Sequence, residues 1–418
     1  MNFILTITLC LHALYISAMS ILGLTDERYG ALFSTAVMLF TVISIAYIIM
    51  RELSNKKDRK GSILPYFIPI VFIFFYILNK ATNTHLNQAA SFTQFLSSMS
   101  YATSAIYIAT YCYRFSKLDS ILKNMNIVMI VITIAITISI PEILSAGVVS
   151  FGLGTYQTLS YLSAFAFGMN LYNILASGNN QKFKFQKYKA YKIIEIFFLI
   201  IQIIGVFISG GRGGAVLLFA NTFVLFYILS RHNLKRLIAF IIIFVPILYF
   251  TLINVSPGLA NMIETRTERT FSYIGDDGLD LSETSGRDIV YSAALGMFAE
   301  KPLLGYGFYE QFDILMKRFN APYVHNIVIE VALQGGVVLL IIFTYLFIKH
   351  FKKLKTYLKT HKEHTLFVII YLYAILFLMF SGTYLGSTYF WFAMTYILMH
   401  NTSNSTIKTN INIKSSSV

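Results

Sequence analysis

The sequence predicts an all-α polytopic integral membrane protein, about 12 transmembrane helices with one large external loop of short helices. Three observations carry that reading. Of 418 residues, 56% are apolar and 12% charged, whereas soluble domains are typically about 45–50% apolar and about 25% charged. Apolar runs recur at the length that carries a helix across about 30 Å of hydrocarbon. The charges between those runs fall unequally on two alternating sides.

The runs lie at about 2–22, 30–50, 63–79, 93–113, 125–141, 156–176, 193–210, 213–230, 237–254, 326–348, 365–380 and 388–400. This divides the chain into spans one to nine (1–254), a large loop (255–325), spans ten to twelve (326–400) and a tail (401–418). One side of the alternating connections holds 24 of the 33 basic residues, including Arg51–Lys60, Lys182–Lys192 and Lys349–Lys362. The positive-inside rule puts that side, and both termini, in the cytoplasm. The net charge of +14 is therefore a topology signal, and nucleic acid is not an expected partner. Met1–Ile21 has no basic leader and is followed closely by a second apolar run, so it reads as a retained first span. Cys10 and Cys112 fall inside spans as small hydrophobes. The composition excludes a disordered chain or a disulfide-stapled module, no heptads or repeats stand out, and the polar tail after His400 reads as disordered.

Residues 255–325, between the ninth and tenth spans, hold six basic and ten acidic residues. A long polar segment on the external side is where a membrane protein carries an aqueous site, so this loop reads as a cap over one. Ser285-Gly-Arg-Asp288 has capping-box spacing and predicts a helix from about Gly286 to Phe298. Pro302 and Gly305-Tyr-Gly307 then turn the chain.

Arg212, in Ser209-Gly-Gly-Arg-Gly-Gly214, sits at a turn between two spans at the external face. Arginine at membrane depth is costly unless it faces a polar cavity or a partner, and its fork suits phosphate. The bland alternative is a snorkelling arginine at a tight turn. Arg287 opens the predicted loop helix, against the helix dipole, which fits an arginine held for an anionic ligand; pairing with Glu283 or Asp288 is the alternative. Arg266 and Arg269 form a mixed-charge run that reads first as a solvated face. His325 stands where the loop re-enters the membrane, and imidazole is the side chain whose unperturbed pKa lies nearest neutrality, so it can take a hydroxyl proton. Asn326 is a candidate ligand or an N-cap. Glu330, in an apolar helix, should face a polar interior; it lies about 140° around the helix from His325, so Asn326 or a neighbouring helix is its expected partner. No phosphate loop, HExxH, Cys/His metal cluster or nucleophile elbow is present, and the cytoplasmic loops are too short for a nucleotide-sugar domain.

In this order, Ser209–Gly214, Ser285-Gly-Arg287, Glu300-Lys-Pro-Leu-Leu-Gly-Tyr-Gly307, His325-Asn-Ile-Val-Ile-Glu330 and Gln334-Gly-Gly336 resemble the O-antigen polymerase/O-antigen ligase superfamily over about residues 195–348. The resemblance implies a bacterial inner-membrane glycosyltransferase whose active site faces the periplasm, which needs neither cofactor nor metal. Its donor would be a glycan on undecaprenyl pyrophosphate. Arg212 and Arg287 would hold the pyrophosphate and His325 would assist the acceptor hydroxyl, with inversion at the anomeric centre. Arg266, Arg269, Tyr306, Asn326 and Glu330 would contact substrate. Membrane lipids and a chain-length regulator protein are the implied partners. A Wzy-like polymerase of O-antigen or capsular repeat units is the favoured member, on an AT-rich codon signature in the composition. The alternatives are a ligase transferring the glycan to lipid A-core, a flippase of the same lipid-linked glycans, and a non-catalytic scaffold.

Overall fold

The computed structural model describes residues 1–24, 29–54, 64–82, 88–146, 151–152, 154–176, 182–229, 261, 264–265, 274–275, 278–279, 287–308, 314–315, 324–361 and 364–400. The helices are α1 (Asn2–Leu9), α2 (Leu11–Ile21), α3 (Tyr29–Ser54), α4 (Leu64–Thr82), α5 (Gln88–Arg114), α6 (Leu118–Ala146) and α7 (Tyr156–Leu175). There follow α8 (Lys189–Ser209), α9 (Arg212–Leu229), α10 (Arg287–Glu300), α11 (Ile327–Thr360), α12 (Thr365–Phe380) and α13 (Thr388–Met399). The described part of the loop adds one two-residue antiparallel pair, Ile274–Gly275 with Gly278–Leu279, beside the expected short helices.

Helices occupy eleven of the predicted apolar runs; the ninth run, 237–254, and the 401–418 tail lie outside the described residues. Among the described residues, five helices are long and apolar enough to cross a bilayer, and a sixth counts if α1 and α2 form one span. That first run is not one straight helix, since α1 and α2 meet at 78° at Cys10. Thr6 and Thr8 hydroxyls donate back to the carbonyls of Asn2 and Ile4, as Thr133 and Thr137 do within the unbroken α6. Both cysteines are free and buried.

The chain forms two compact units. Unit 1 comprises residues 1–40, 119–292 and 365–382, with α7 packed on α8, α9 and α12. Lipid tails are as apolar as leucine, so membrane helices associate through close packing and interhelical hydrogen bonds. Both occur here. Asn170 Nδ2 donates to the Glu195 carbonyl at 2.7 Å and to Gln202 Oε1 at 3.2 Å, and Gln202 Nε2 donates to Thr133 Oγ1 at 2.7 Å. The buried Glu195 carboxylate is neutralised by Lys182 at 2.9 Å.

Unit 2 comprises 41–118, 293–364 and 383–418, with α13 packed on α5, α4 and α11. Its core is aromatic: Phe72 lies 5.3 Å from Phe308 and 5.2 Å from Trp391, ring centre to ring centre. Phe308, 1% exposed, anchors the segment that follows α10.

The tenth predicted span is a broken helix. α11 is non-helical at Gly335 (φ −131°, ψ 15°) and Gly336 (φ 61°, ψ −159°). A break inside a bilayer strands backbone groups that have no water to satisfy them. Residues 302–307 satisfy them. The Val337 and Val338 N–H groups donate to the carbonyls of Pro302 (2.8 Å) and Leu303 (3.4 Å). In return, Tyr306 and Gly307 N–H donate to the carbonyls of Leu333 (2.7 Å) and Gln334 (2.9 Å). The contact leaves no room for side chains: a Cβ on Gly305 would sit 2.4 Å from the Leu333 carbonyl oxygen, and one on Gly336 would sit 2.2 Å from that of Leu303.

Candidate active site

Two motifs that are separate in sequence, Glu300–Gly307 and Gln334-Gly-Gly336, are thus one interlocked element. Unit 2 holds Tyr306 within this element, Glu330 one turn before Gln334, and His325 and Asn326 at the start of α11. α10 runs to Glu300, two residues past its expected end, and Gly305 then turns the chain at φ +67°. Tyr306 is 6% exposed. Its hydroxyl donates to Glu300 Oε2 at 2.5 Å, and the Lys301 ammonium stands 4.7 Å from its ring centre.

His325 is half-buried and left-handed at φ +53°. That conformation costs a residue with a side chain roughly 1–2 kcal/mol, and such outliers cluster at functional sites. Here the turn redirects the chain from the loop into α11. Asn326 is the N-cap of α11: its Oδ1 accepts from the Val328 N–H at 2.9 Å and the Ile329 N–H at 3.3 Å. Glu330, 2% exposed, does not use the Asn326 side chain expected as one of its partners. It takes Gln334, one turn further along at 3.1 Å, and Thr383 in the turn after α12.

Arg212 belongs to unit 1. It is the first residue of α9, half-buried, after a two-residue turn in which Gly210 adopts φ +66°. The glycines around it, which would let a ligand or a second backbone approach closely, admit α7. A Cβ on Gly214 would lie 2.0 Å from Ser160 Oγ, and one on Gly213 would lie 1.8 Å from the Tyr161 hydroxyl. Ser160 Oγ in turn donates to the Gly211 carbonyl at 2.8 Å. The glycine pattern is explained by helix packing, and the case for Arg212 now rests on its own charge at a helix N-terminus, where the dipole disfavours a cation.

Arg287 opens α10, as the capping-box spacing predicts. Arg266 and Arg269 lie outside the described residues. Thr383 and Tyr384 are partners that sequence reasoning did not find; the only hint was the polar Ser381-Gly-Thr-Tyr384 break between two apolar runs.

No curated protein matches the chain. Residues 197–344 match the O-antigen ligase family, a stretch that contains every candidate site residue from Arg212 to Glu330. Over those residues the chain is similar to the O-antigen ligase family, consistent with the superfamily that its motif order resembles.

Proposed function

We propose that the protein is an inner-membrane glycosyltransferase that polymerises undecaprenyl-pyrophosphate-linked oligosaccharide repeat units into O-antigen or capsular polysaccharide on the periplasmic side. The observation that carries the reading is the O-antigen ligase match over the segment holding all the candidate residues. That family indicates a glycosyl-transferring membrane enzyme acting on lipid-linked glycans in polysaccharide synthesis. In the proposed step the acceptor hydroxyl oxygen attacks the anomeric carbon of the donor glycan. The bond from that carbon to the pyrophosphate oxygen breaks, and the hydroxyl proton passes to His325. The Arg212 and Arg287 guanidiniums stabilise the charge that develops on the leaving pyrophosphate, often the largest single catalytic contribution. Attack opposite the leaving group inverts the anomeric centre, and the two guanidiniums do the work a divalent cation would otherwise do.

A hydrocarbon-tailed donor has a matching surface in unit 2. A groove between α4 and α11, lined by Phe67, Phe72, Leu339, Phe343 and Trp391, presents only apolar atoms. Trp391 is the chain's sole tryptophan. Brominated undecaprenyl phosphate is expected to quench its fluorescence at lower mole fraction than brominated phospholipid does; equal quenching by both would remove this support.

The deciding experiment is a gel of products from purified protein supplied with undecaprenyl-pyrophosphate repeat units, with and without lipid A-core. A ladder from the lipid-linked units alone, undiminished in EDTA and lost on Arg212→Ala, is expected. The family's name gives the second reading its weight: product formed only with lipid A-core present makes the protein a ligase. No new glycosidic bond from competent substrates sinks both readings.

A further inference from the structure

We propose that Glu330 is a positioning residue: its carboxylate pins the first turns of α11 to the turn after α12 and so fixes the backbone that presents His325. The inference rests on the role given to His325 above.

Glu330 has the environment of a tether rather than of a substrate ligand. It is 2% exposed, inside a membrane-spanning helix, where an ionisable group is expensive unless it is used. Its carboxylate takes hydrogen bonds from three donors: Gln334 Nε2 at 3.1 Å, the Thr383 hydroxyl and the Tyr384 backbone N–H. The carboxyl group presents two oxygens to these donors, whereas an amide replaces one of them with an N–H₂. Gln334 is gripped from its other end, because the Tyr384 hydroxyl donates to Gln334 Oε1 at 2.6 Å. The Thr383-Tyr384 pair therefore holds two residues on one face of α11, a turn apart.

The consequences run both ways along α11. Towards the break, Gln334 carries the carbonyl that receives the Gly307 N–H at 2.9 Å, so the tether continues into the docked segment that holds Tyr306. Towards the start, the Glu330 N–H closes the first helical turn on the Asn326 carbonyl at 2.9 Å, and Asn326 caps the next two amides. His325 comes immediately before, in a backbone conformation that its surroundings must hold in place. Loosening the tether releases that conformation without touching the imidazole.

The test compares Glu330→Gln, which keeps size and replaces one carboxyl oxygen with an N–H₂, with Tyr384→Phe, which removes only the grip on Gln334. Both are expected to lower kcat on the order of 10–100-fold, as small misplacements of a reacting group do, with the donor KM little changed. The same substitutions in a His325→Ala background are expected to cost nothing further, because the residue they act through is gone. Wild-type kcat in Glu330→Gln, a rise in donor KM alone, or an equal further loss without His325 overturns the proposal. Amide hydrogen exchange on the same proteins reports without turnover. Faster exchange at Tyr306, Gly307 and Val328–Glu330 in Glu330→Gln supports the tether, and unchanged exchange overturns it, even if the wild type transfers no sugar and the glycosyltransferase reading fails.

Discussion

Gly336→Ala is expected to unseat residues 302–307 from the break in α11 and to lower stability by about 3–5 kcal/mol. Part of the cost is conformational, because Gly336 holds φ +61° and a side chain there costs roughly 1–2 kcal/mol. The rest is steric and polar. The new methyl would stand 2.2 Å from the Leu303 carbonyl oxygen, and a backbone atom cannot rotate away as a flexible side chain can. The segments must separate, and hydrogen bonds worth about 0.5–1.5 kcal/mol each are lost with no water to replace them. Gly305→Ala attacks the same contact from the other side, 2.4 Å from the Leu333 oxygen. Because either change alone opens the contact, the double variant should be little worse than each single one. Gly296, in α10 with open space around it, is the control, and its alanine variant should be neutral or slightly stabilising. Thermal unfolding in detergent checks all four proteins; a Gly336→Ala melting temperature equal to that of the wild type would refute the interlock.

His325→Ala should lower turnover by about 10²–10⁴-fold, the usual contribution of a positioned acid–base group. His325→Gly should lose as much turnover and yet be more stable than His325→Ala, since glycine meets φ +53° without strain. The pair separates what the side chain does from what the backbone position costs. Steady-state rates with lipid-linked repeat units and melting temperatures give both numbers. Full turnover in either variant removes His325 from the mechanism, while equal stability of the two would mean the left-handed turn carries no strain.

Much of this was legible before any coordinates. Hydropathy located helices at eleven of the predicted runs because a membrane helix must satisfy its backbone internally and keep its side chains apolar, which leaves a strong local signal. Arg287 was placed at the start of α10 by capping chemistry, which is also local. The two breaks were not legible. Nothing between Asn2 and Ile21 is proline or glycine, so the bend at Cys10 leaves no residue-type signal. Gly335-Gly336 was visible as a motif, but two glycines equally suit close packing of an intact helix. Only the pairing with residues 302–307 identifies a break. The glycines around Arg212 left two alternatives open that sequence could not separate. They read as room for a ligand or for another backbone, and it is the second that occurs: Ser160 and Tyr161 of α7, some fifty residues earlier in the chain, fill it. Glu330 was rightly expected to seek a polar interior, but its partners Thr383 and Tyr384 come from a turn that carries no recognisable motif.

The docked pair of segments also alters how sequences of this kind should be compared. Residues 302–307 and 333–338 are pinned to each other by four backbone hydrogen bonds, so the chain between them is a closed loop hung from a fixed clasp. Lengthening such a loop is thermodynamically mild, about 0.6 kcal/mol for each doubling. Insertions there can accumulate while the clasp keeps its shape. The geometry then constrains the match between a Pro-x-x-Gly-x-Gly segment and a later Gly-Gly, rather than the number of residues between the first segment and the start of α11. Distant homologues should be sought by that correspondence, with the spacing left free.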